Sequence, residues 1–244
     1  LITCSPSSRP VQSEAVAGAA VEAGAADAAL VRSDAAVALG AGLDILSPQG
    51  CMVLDLGAGS ITATLFTLGR VADYASLPYG MSRIDQRILN SVRTQLGYAI
   101  SPHSAEELKL SMGAASLQYA AMGAPMSIAG LDVAERLPRE FSVAPGLVVE
   151  ACLDVSREIA AMAAAIVDAA PAELAADLND TGVVLAGGGA MLSGLDKLIG
   201  DALSVPCRVA DVPASCGVRG LHAIMQAPER YRGFFLDAAK SAWR

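Results

Sequence analysis

The stretch VLDLGAGSITATL, Val53 to Leu65, decides how the rest of the chain is read. Two apolar runs, Cys51–Leu56 and Ile61–Leu68, are separated only by Gly57-Ala58-Gly59-Ser60. So short a link joins antiparallel strands and excludes a parallel βαβ unit at this point. The first run carries an acid, Asp55, at its end. Glycines in the turn let backbone N–H groups approach phosphate oxygens, and Ser60 adds a hydroxyl. Asp55 is then placed to orient a hydrated Mg²⁺ beside them. A plain glycine hairpin with Asp55 capping its turn is the competing reading. A dinucleotide fingerprint is disfavoured, because Thr62 stands where the third glycine would fall and a strand follows where a helix is needed. No Gly-x-x-x-x-Gly-Lys-Ser/Thr run occurs either.

A second glycine-rich loop lies in GVVLAGGGAMLSGLDKLI, Gly182 to Ile199. An apolar strand runs into Gly187-Gly188-Gly189-Ala190, and a helix is expected from about Met191. Three consecutive glycines exceed what a tight turn requires. They leave no side chain in the way of a flat base or a ribose, and the helix start adds free N–H donors. A third element is Ser104-Ala105-Glu106-Glu107-Leu108-Lys109. Ser104 with Glu107 three residues on reads as a capping box. Glu106 and Lys109 become neighbours on the helix surface, where a simple exposed ion pair is the alternative to a ligand contact.

Composition narrows the function classes. The 244 residues suit one large or two small domains, and 53% hydrophobic residues support a full core although only 4% are aromatic. The formal net charge of −8 argues against nucleic acid as a partner, since phosphate backbones need a basic face. Cys4, Cys51, Cys152, Cys207 and Cys216 are scattered with no CxxC, which reads as buried or free thiols. His103 and His222 have no ligand-spaced partners, which disfavours zinc and Ser-His-Asp chemistry. The longest uncharged run, between Lys109 and Asp132, is broken by Pro125, glycines and serines and does not read as a membrane span.

Further strands are expected at Leu1–Cys4, Gly182–Ala186 and Val205–Ala210, and helices at Gln12–Ala23, Ser82–Gly97, Ser104–Met112, Leu147–Ala169 and Met191–Leu203. The alternation makes this an α/β chain with at least partly parallel sheets. The chain opens at Leu1 in what reads as a strand, so an upstream continuation is expected.

Taken together, the order strand–DLGAGS–strand, SAEELK, APAELAADL and GVVLAGGGAMLSGL resembles the bacterial actin family of MreB and its magnetosome relative MamK. The most specific part is PAELAADLNDTGVVLAGGGAMLSGLDKLI, Pro171 to Ile199. Supporting matches are GMSRIDQRILNSVRTQLG at Gly80–Gly97, LDVAERLPREF at Leu131–Phe141 and VADVPASCGVRG at Val209–Gly220. The resemblance implies the actin-like ATPase, ribonuclease H-like fold, with two lobes closing over ATP and Mg²⁺ and protomers joining head to tail. It implies a remainder of the first lobe at residues 1–53, the second lobe with the nucleotide loops at 54–215, and C-terminal helices returning to the first lobe at 216–244. It places Gly57, Ala58, Gly59 and Ser60 at the phosphates and Asp55 at the metal. Glu106, Glu107, Leu108 and Lys109 would lie by the ribose and adenine, and Gly187, Gly188, Gly189 and Ala190 would close over the adenosine.

Two departures qualify what carries over. The family's opening strand–turn–strand, with its own phosphate loop, has no counterpart here, so the first lobe is expected to be incomplete. The family's water-positioning glutamate falls on Ser33 within VRSDAAVALGAGL, Val31 to Leu43. A hydroxyl cannot take up a proton as a carboxylate does; Asp34, one residue on, is the possible substitute. An acid two positions past the phosphate loop is also replaced, so hydrolysis is expected to be weakened. The expected partners are a second copy of the chain or a full-length actin homologue. The aromatic and basic tail, Tyr231 to Arg244, suits either a membrane surface or packing of Phe234, Phe235 and Trp243 on the neighbouring lobe. A cytoplasmic protein, or one peripheral on the inner membrane face, is expected. A pseudo-ATPase scaffold that caps or copolymerises with a complete relative is the second reading. A small-molecule kinase of the same superfold would need a substrate-binding carboxylate that the sequence does not offer.

Overall fold

The computed structural model describes residues 1–236. A short βαβ unit opens the chain: β1 (Ile2–Cys4), α1 (Pro10–Glu22) and β2 (Leu30–Arg32), with the strands parallel. Helix α2 (Ser33–Gly40) follows without a loop. The DLGAGS stretch forms the expected hairpin, β3 (Cys51–Leu56) and β4 (Ile61–Thr67), and β5 (Arg70–Leu77) extends it as a meander. Next come α3 (Ser82–Ser91), prolonged by a π-helical turn at Val92–Leu96, then β6 (Tyr98–Ala99), α4 (Pro102–Met112) and α5 (Leu117–Met122). Strands β7 (Met126–Asp132) and β8 (Pro138–Val143) precede the longest helix, α6 (Pro145–Ala169). The chain then runs through α7 (Ala172–Thr181), β9 (Val183–Ala186), α8 (Leu195–Leu203), β10 (Cys207–Val209) and α9 (Cys216–Gln226).

The central sheet has the order β10-β9-β3-β4-β5, parallel from β10 to β3 and antiparallel beyond. Its strands alternate strictly, and the two faces bury different sets. Met52, Leu54, Leu56, Ile61, Ala63 and Leu65 enter one core with α3, α6 and α8. Cys51, Val53, Phe66, Val184 and Ala186 enter a second core with α2 and α9. Burial on both faces is what the near-continuous apolar runs require. Helices α2 and α9 cross at backbone contact: a Cβ on Gly40 would collide with the backbone of Cys216, and one on Gly220 with Ala36. A smaller sheet, β6-β7-β8, stands apart, and Tyr98 stacks on Phe141 within it at 4.0 Å.

Several expectations need correction. Strands β2, β5, β6, β7 and β8 were not signalled by their apolar pattern. The turn at Gly188–Met191 is a 3₁₀ helix, and α8 starts only at Leu195, after Gly194 at φ +78°. Helix α4 starts earlier than the capping box placed it. Pro102 takes the first helical position and Ser101 is the cap, its hydroxyl accepting from the Ser104 N–H at 3.0 Å. The expected division between residues 53 and 54 falls inside β3.

Phe234 and Phe235 are buried in the second core, Phe235 bridges to Val31, and Leu236 N–H donates to Leu30 O. Those two rings are thereby withdrawn from any membrane contact, while Trp243 lies outside the described residues. No helix among the described residues is long and apolar enough to cross a membrane.

Candidate functional site

The hairpin turn is fastened to the start of α3. Gly57 O accepts from Met81 N–H at 2.9 Å, and Ala58 O accepts from both the N–H and the hydroxyl of Ser82, at 3.1 and 2.8 Å. The triple-glycine loop folds down beside it. Gly187 sits at φ +81°, and a Cβ there would lie 2.6 Å from Leu56 O and 2.9 Å from an Asp55 carboxylate oxygen. Only glycine combines that backbone conformation with that approach. Gly59 and Gly188, by contrast, face open space.

Between these loops and α4 lies a cavity of about 520 Å³, within the range of small-molecule sites. Of the residues singled out from the sequence, Ala58, Glu106, Lys109, Gly188 and Gly189 line it. The others do not. Leu108 is a core residue with no exposed surface, and Ala190 is buried. Glu107 turns away to His103, 3.6 Å distant, which the helical spacing of four explains. Gly57, Ser60 and Gly187 shape the backbone around the cavity without lining it.

The Glu106–Lys109 pair is not formed. Lys109 instead reaches across to α3, where its Nζ lies 2.8 and 2.9 Å from the two Asp85 oxygens. Both side chains are less than one-fifth exposed, so this ion pair is part of the cavity wall. Asp85, Met81 and Ser82 are cavity residues that the sequence reading did not assign. The signal for Asp85 was its place at the start of an amphipathic helix, with no local partner for its charge.

Two acids meet where α2 packs on the central sheet, Asp34 at the start of α2 and Asp55 on β3. Asp34 has no exposed surface, and its carboxylate is fully engaged. Arg32 donates to it through Nη2 at 2.6 Å and Nε at 3.1 Å, the Ala35 N–H at 2.8 Å and the Thr64 hydroxyl at 3.1 Å. The Arg32 guanidinium also lies 5.9 Å over the Tyr74 ring. Four donors leave this carboxylate no free lone pair with which to act as a base. The substitution of Asp34 for the missing glutamate is therefore corrected: it is a structural acid. Ser33 is the first residue of α2.

Asp55 is different. No hydrogen bond from the described residues reaches its carboxylate, and burial together with the nearby Asp34 charge pushes its pKa from 3.8 up to about 6. Thr62, its partner in the β3–β4 register, is 3% exposed, and its hydroxyl has no hydrogen-bond partner. Unpartnered oxygens beside a glycine turn fit a hydrated divalent cation arriving with phosphates. The thiols of Cys51, Cys152 and Cys207 are pushed up to about 12 by burial, which makes them poor nucleophiles.

A family model described as MreB/Mbl protein matches residues 1–232. The cell shape-determining protein Mbl of Bacillus cereus is 30% identical over 94% of this chain and 68% of its own length. The crystal structure of MreB 5 of Spiroplasma citri bound to AMPPNP superposes with a TM-score of 0.86, at 24% identity, covering 95% of this chain and 69% of that one. A MamK double helical filament shares the fold with a TM-score of 0.77, at 17% identity, covering 92% of this chain and 67% of that one. The chain thus spans about two thirds of the length of the relatives it matches. The match over residues 1–232, the actin-like fold and the order of the three glycine and Glu-x-x-Lys elements agree, and the chain belongs to the MreB/Mbl family of bacterial actin homologues.

Proposed function

We propose that this chain is a cytoskeletal protein that binds ATP with Mg²⁺ in the 520 Å³ cavity and forms or joins filaments, with weakened hydrolysis. The observation that carries the reading is the convergence on one cavity of three elements far apart in sequence: Ala58, the Glu106–Lys109 helix and the Gly188-Gly189 turn. In this reading the backbone of residues 57–60 holds the phosphates, Glu106 and Lys109 lie by the ribose and adenine, and the triple glycine covers the adenosine. Asp55 holds the cation, which supplies charge neutralisation at the phosphates. With the division moved ahead of β3, residues 1–50 and 216–236 belong to one lobe and 51–215 to the other, in a cytoplasmic protein.

Filament formation is drawn from the MamK relative, whose filament is a double helix, and from the cell-shape role of Mbl. Sedimentation of the purified chain with ATP and Mg²⁺, alone and with a full-length MreB, tests it. Pelleting alone supports self-assembly, pelleting only with the relative supports joining, and neither result would remove filament formation.

A second reading, a non-hydrolysing scaffold that caps or copolymerises with a complete relative, is favoured by the closed Arg32–Asp34–Thr64 network. No carboxylate at that position is free to take a proton from water. The two readings differ in turnover: a scaffold releases no phosphate at any protein concentration, whereas a weakened ATPase releases it slowly.

A further inference from the structure

Three consecutive glycines promise open space along the loop that follows β9, yet only one of them delivers it. A Cβ on Gly188 would meet nothing within 4 Å. At Gly187 that space belongs to Leu56 O and Asp55. At Gly189 it belongs to a side chain: a Cβ there would lie 2.4 Å from Cγ of Met81 and 2.9 Å from Leu56 O. Met81 is 6% exposed, packs in the core with Leu56 and Ile84, and lines the cavity beside Ala58 and Gly189. Its backbone belongs to the other loop. Gly80 enters α3 in backbone contact with the hairpin turn, where a Cβ would sit 2.2 Å from Ala58 O, and the Met81 N–H donates to Gly57 O at 2.9 Å. A single residue is therefore tied to the hairpin turn by its amide and lies under the triple-glycine loop with its side chain. Only packing retains that side chain. A thioether is at most a weak acceptor, and an unbranched chain with three rotatable bonds can leave without moving the backbone.

We propose that Met81 is a self-inhibitory plug. In the empty protein its side chain fills the space between the two loops, and a nucleotide that bridges the loops displaces it. The proposal rests on the nucleotide reading above and adds a regulation to that same site. Returning a buried methionine to water is unfavourable enough to weaken binding about ten- to hundredfold. Until a ligand offsets that loss, the triple-glycine loop rests on Met81 and the cavity keeps an apolar floor.

The test is the affinity of the 244-residue chain for ADP with Mg²⁺, for the wild type, Met81→Ala and Met81→Leu, together with the melting temperature of each unliganded protein. A plug gives effects of opposite sign. Met81→Ala binds ADP about tenfold or more tightly while melting lower, because core packing is lost and nothing is left to displace. Met81→Leu, of similar volume, keeps the weak binding of the wild type. Met81→Thr, smaller and a favoured helix cap, gives the same reading as alanine should that variant not fold. A second readout needs no small variant: with ¹³C in the methionine methyl groups, the Met81 signal is the one absent from Met81→Leu. ADP should open that signal to broadening by a soluble nitroxide. Affinity that is unchanged or falls together with stability in the small variants would make Met81 an ordinary wall residue and overturn the proposal. So would a Met81 methyl that stays protected in the ADP complex, and in both cases the nucleotide reading survives. Failure of the wild type and of every folded variant to bind ADP removes the nucleotide reading and this proposal with it.

Discussion

At the cavity end, Ala58, Glu106, Lys109, Gly188 and Gly189 surround open volume; at the end where α2 packs on the central sheet, Arg32, Asp34 and Thr64 have closed on one another and leave none. The first end is built from glycine backbone and from charges held at the cavity wall. At the second, an acid is present but every oxygen lone pair is taken. On the proposed reading, the cavity serves recognition while the acid expected to handle water has become part of the scaffold. A buried ion pair is weak evidence for stability as such, but it fixes a unique arrangement and is costly to break.

The two acids where α2 packs on the sheet offer the sharpest way to break that comparison, because their substitutions have opposite signs. Asp34→Ala leaves Arg32 and the Thr64 hydroxyl without their partner in a buried place and should cost about 3 kcal/mol of stability. Chemical denaturation measures it, and a loss under 1 kcal/mol would mean that the network is incidental. Asp55→Asn should stabilise the unliganded protein. The folded pKa near 6 lies above the ordinary 3.8, so the folded state binds the proton more tightly than the unfolded chain. Stability attributable to Asp55 is therefore greatest in acid, falls as pH rises from 3.8 through 6, and stays low above that. At pH 8 the amide removes a penalty of up to about 3 kcal/mol and raises the melting temperature, with little gain at pH 4. The same variant should weaken ADP binding in Mg²⁺, and a destabilised Asp55→Asn protein at pH 8 would contradict the burial argument.

At the recognition end the expected effects are smaller. Lys109→Met removes the partner of Asp85 from the cavity wall and should lower nucleotide affinity about tenfold, read by calorimetry. Glu107→Ala should leave affinity unchanged and stability within about 0.5 kcal/mol, because that side chain turns to His103 on the far face of α4. A loss for Glu107 equal to that for Lys109 would place it back in the site.

Much of the cavity's backbone was legible in the sequence because its signals are local. DLGAGS between two apolar runs can only be a hairpin, and three glycines after a strand announce a close backbone approach. The errors arose where a residue's fate depends on distant partners. Lys109 has an acid at hand three residues earlier, yet it pairs with Asp85 on another helix. Asp34 reads as a spare carboxylate until Arg32 and Thr64 are seen around it. Strand β5 escaped notice because Arg70, Asp73 and Ser76 interrupt its apolar pattern at the sheet edge, and β7 and β8 because they form a small, half-exposed sheet. Ser101 with Pro102 was the better helix-start signal, and Ser104 obscured it.

The most direct test of the proposed recognition with weakened turnover is to incubate the purified chain with ATP and Mg²⁺, isolate the protein by rapid filtration and determine the nucleotide it carries. The account predicts bound nucleotide that remains ATP over hours. A protein that carries ADP with phosphate released would contradict the assignment of Arg32, Asp34 and Thr64 as a closed scaffold, and a protein that carries no nucleotide would contradict the site itself.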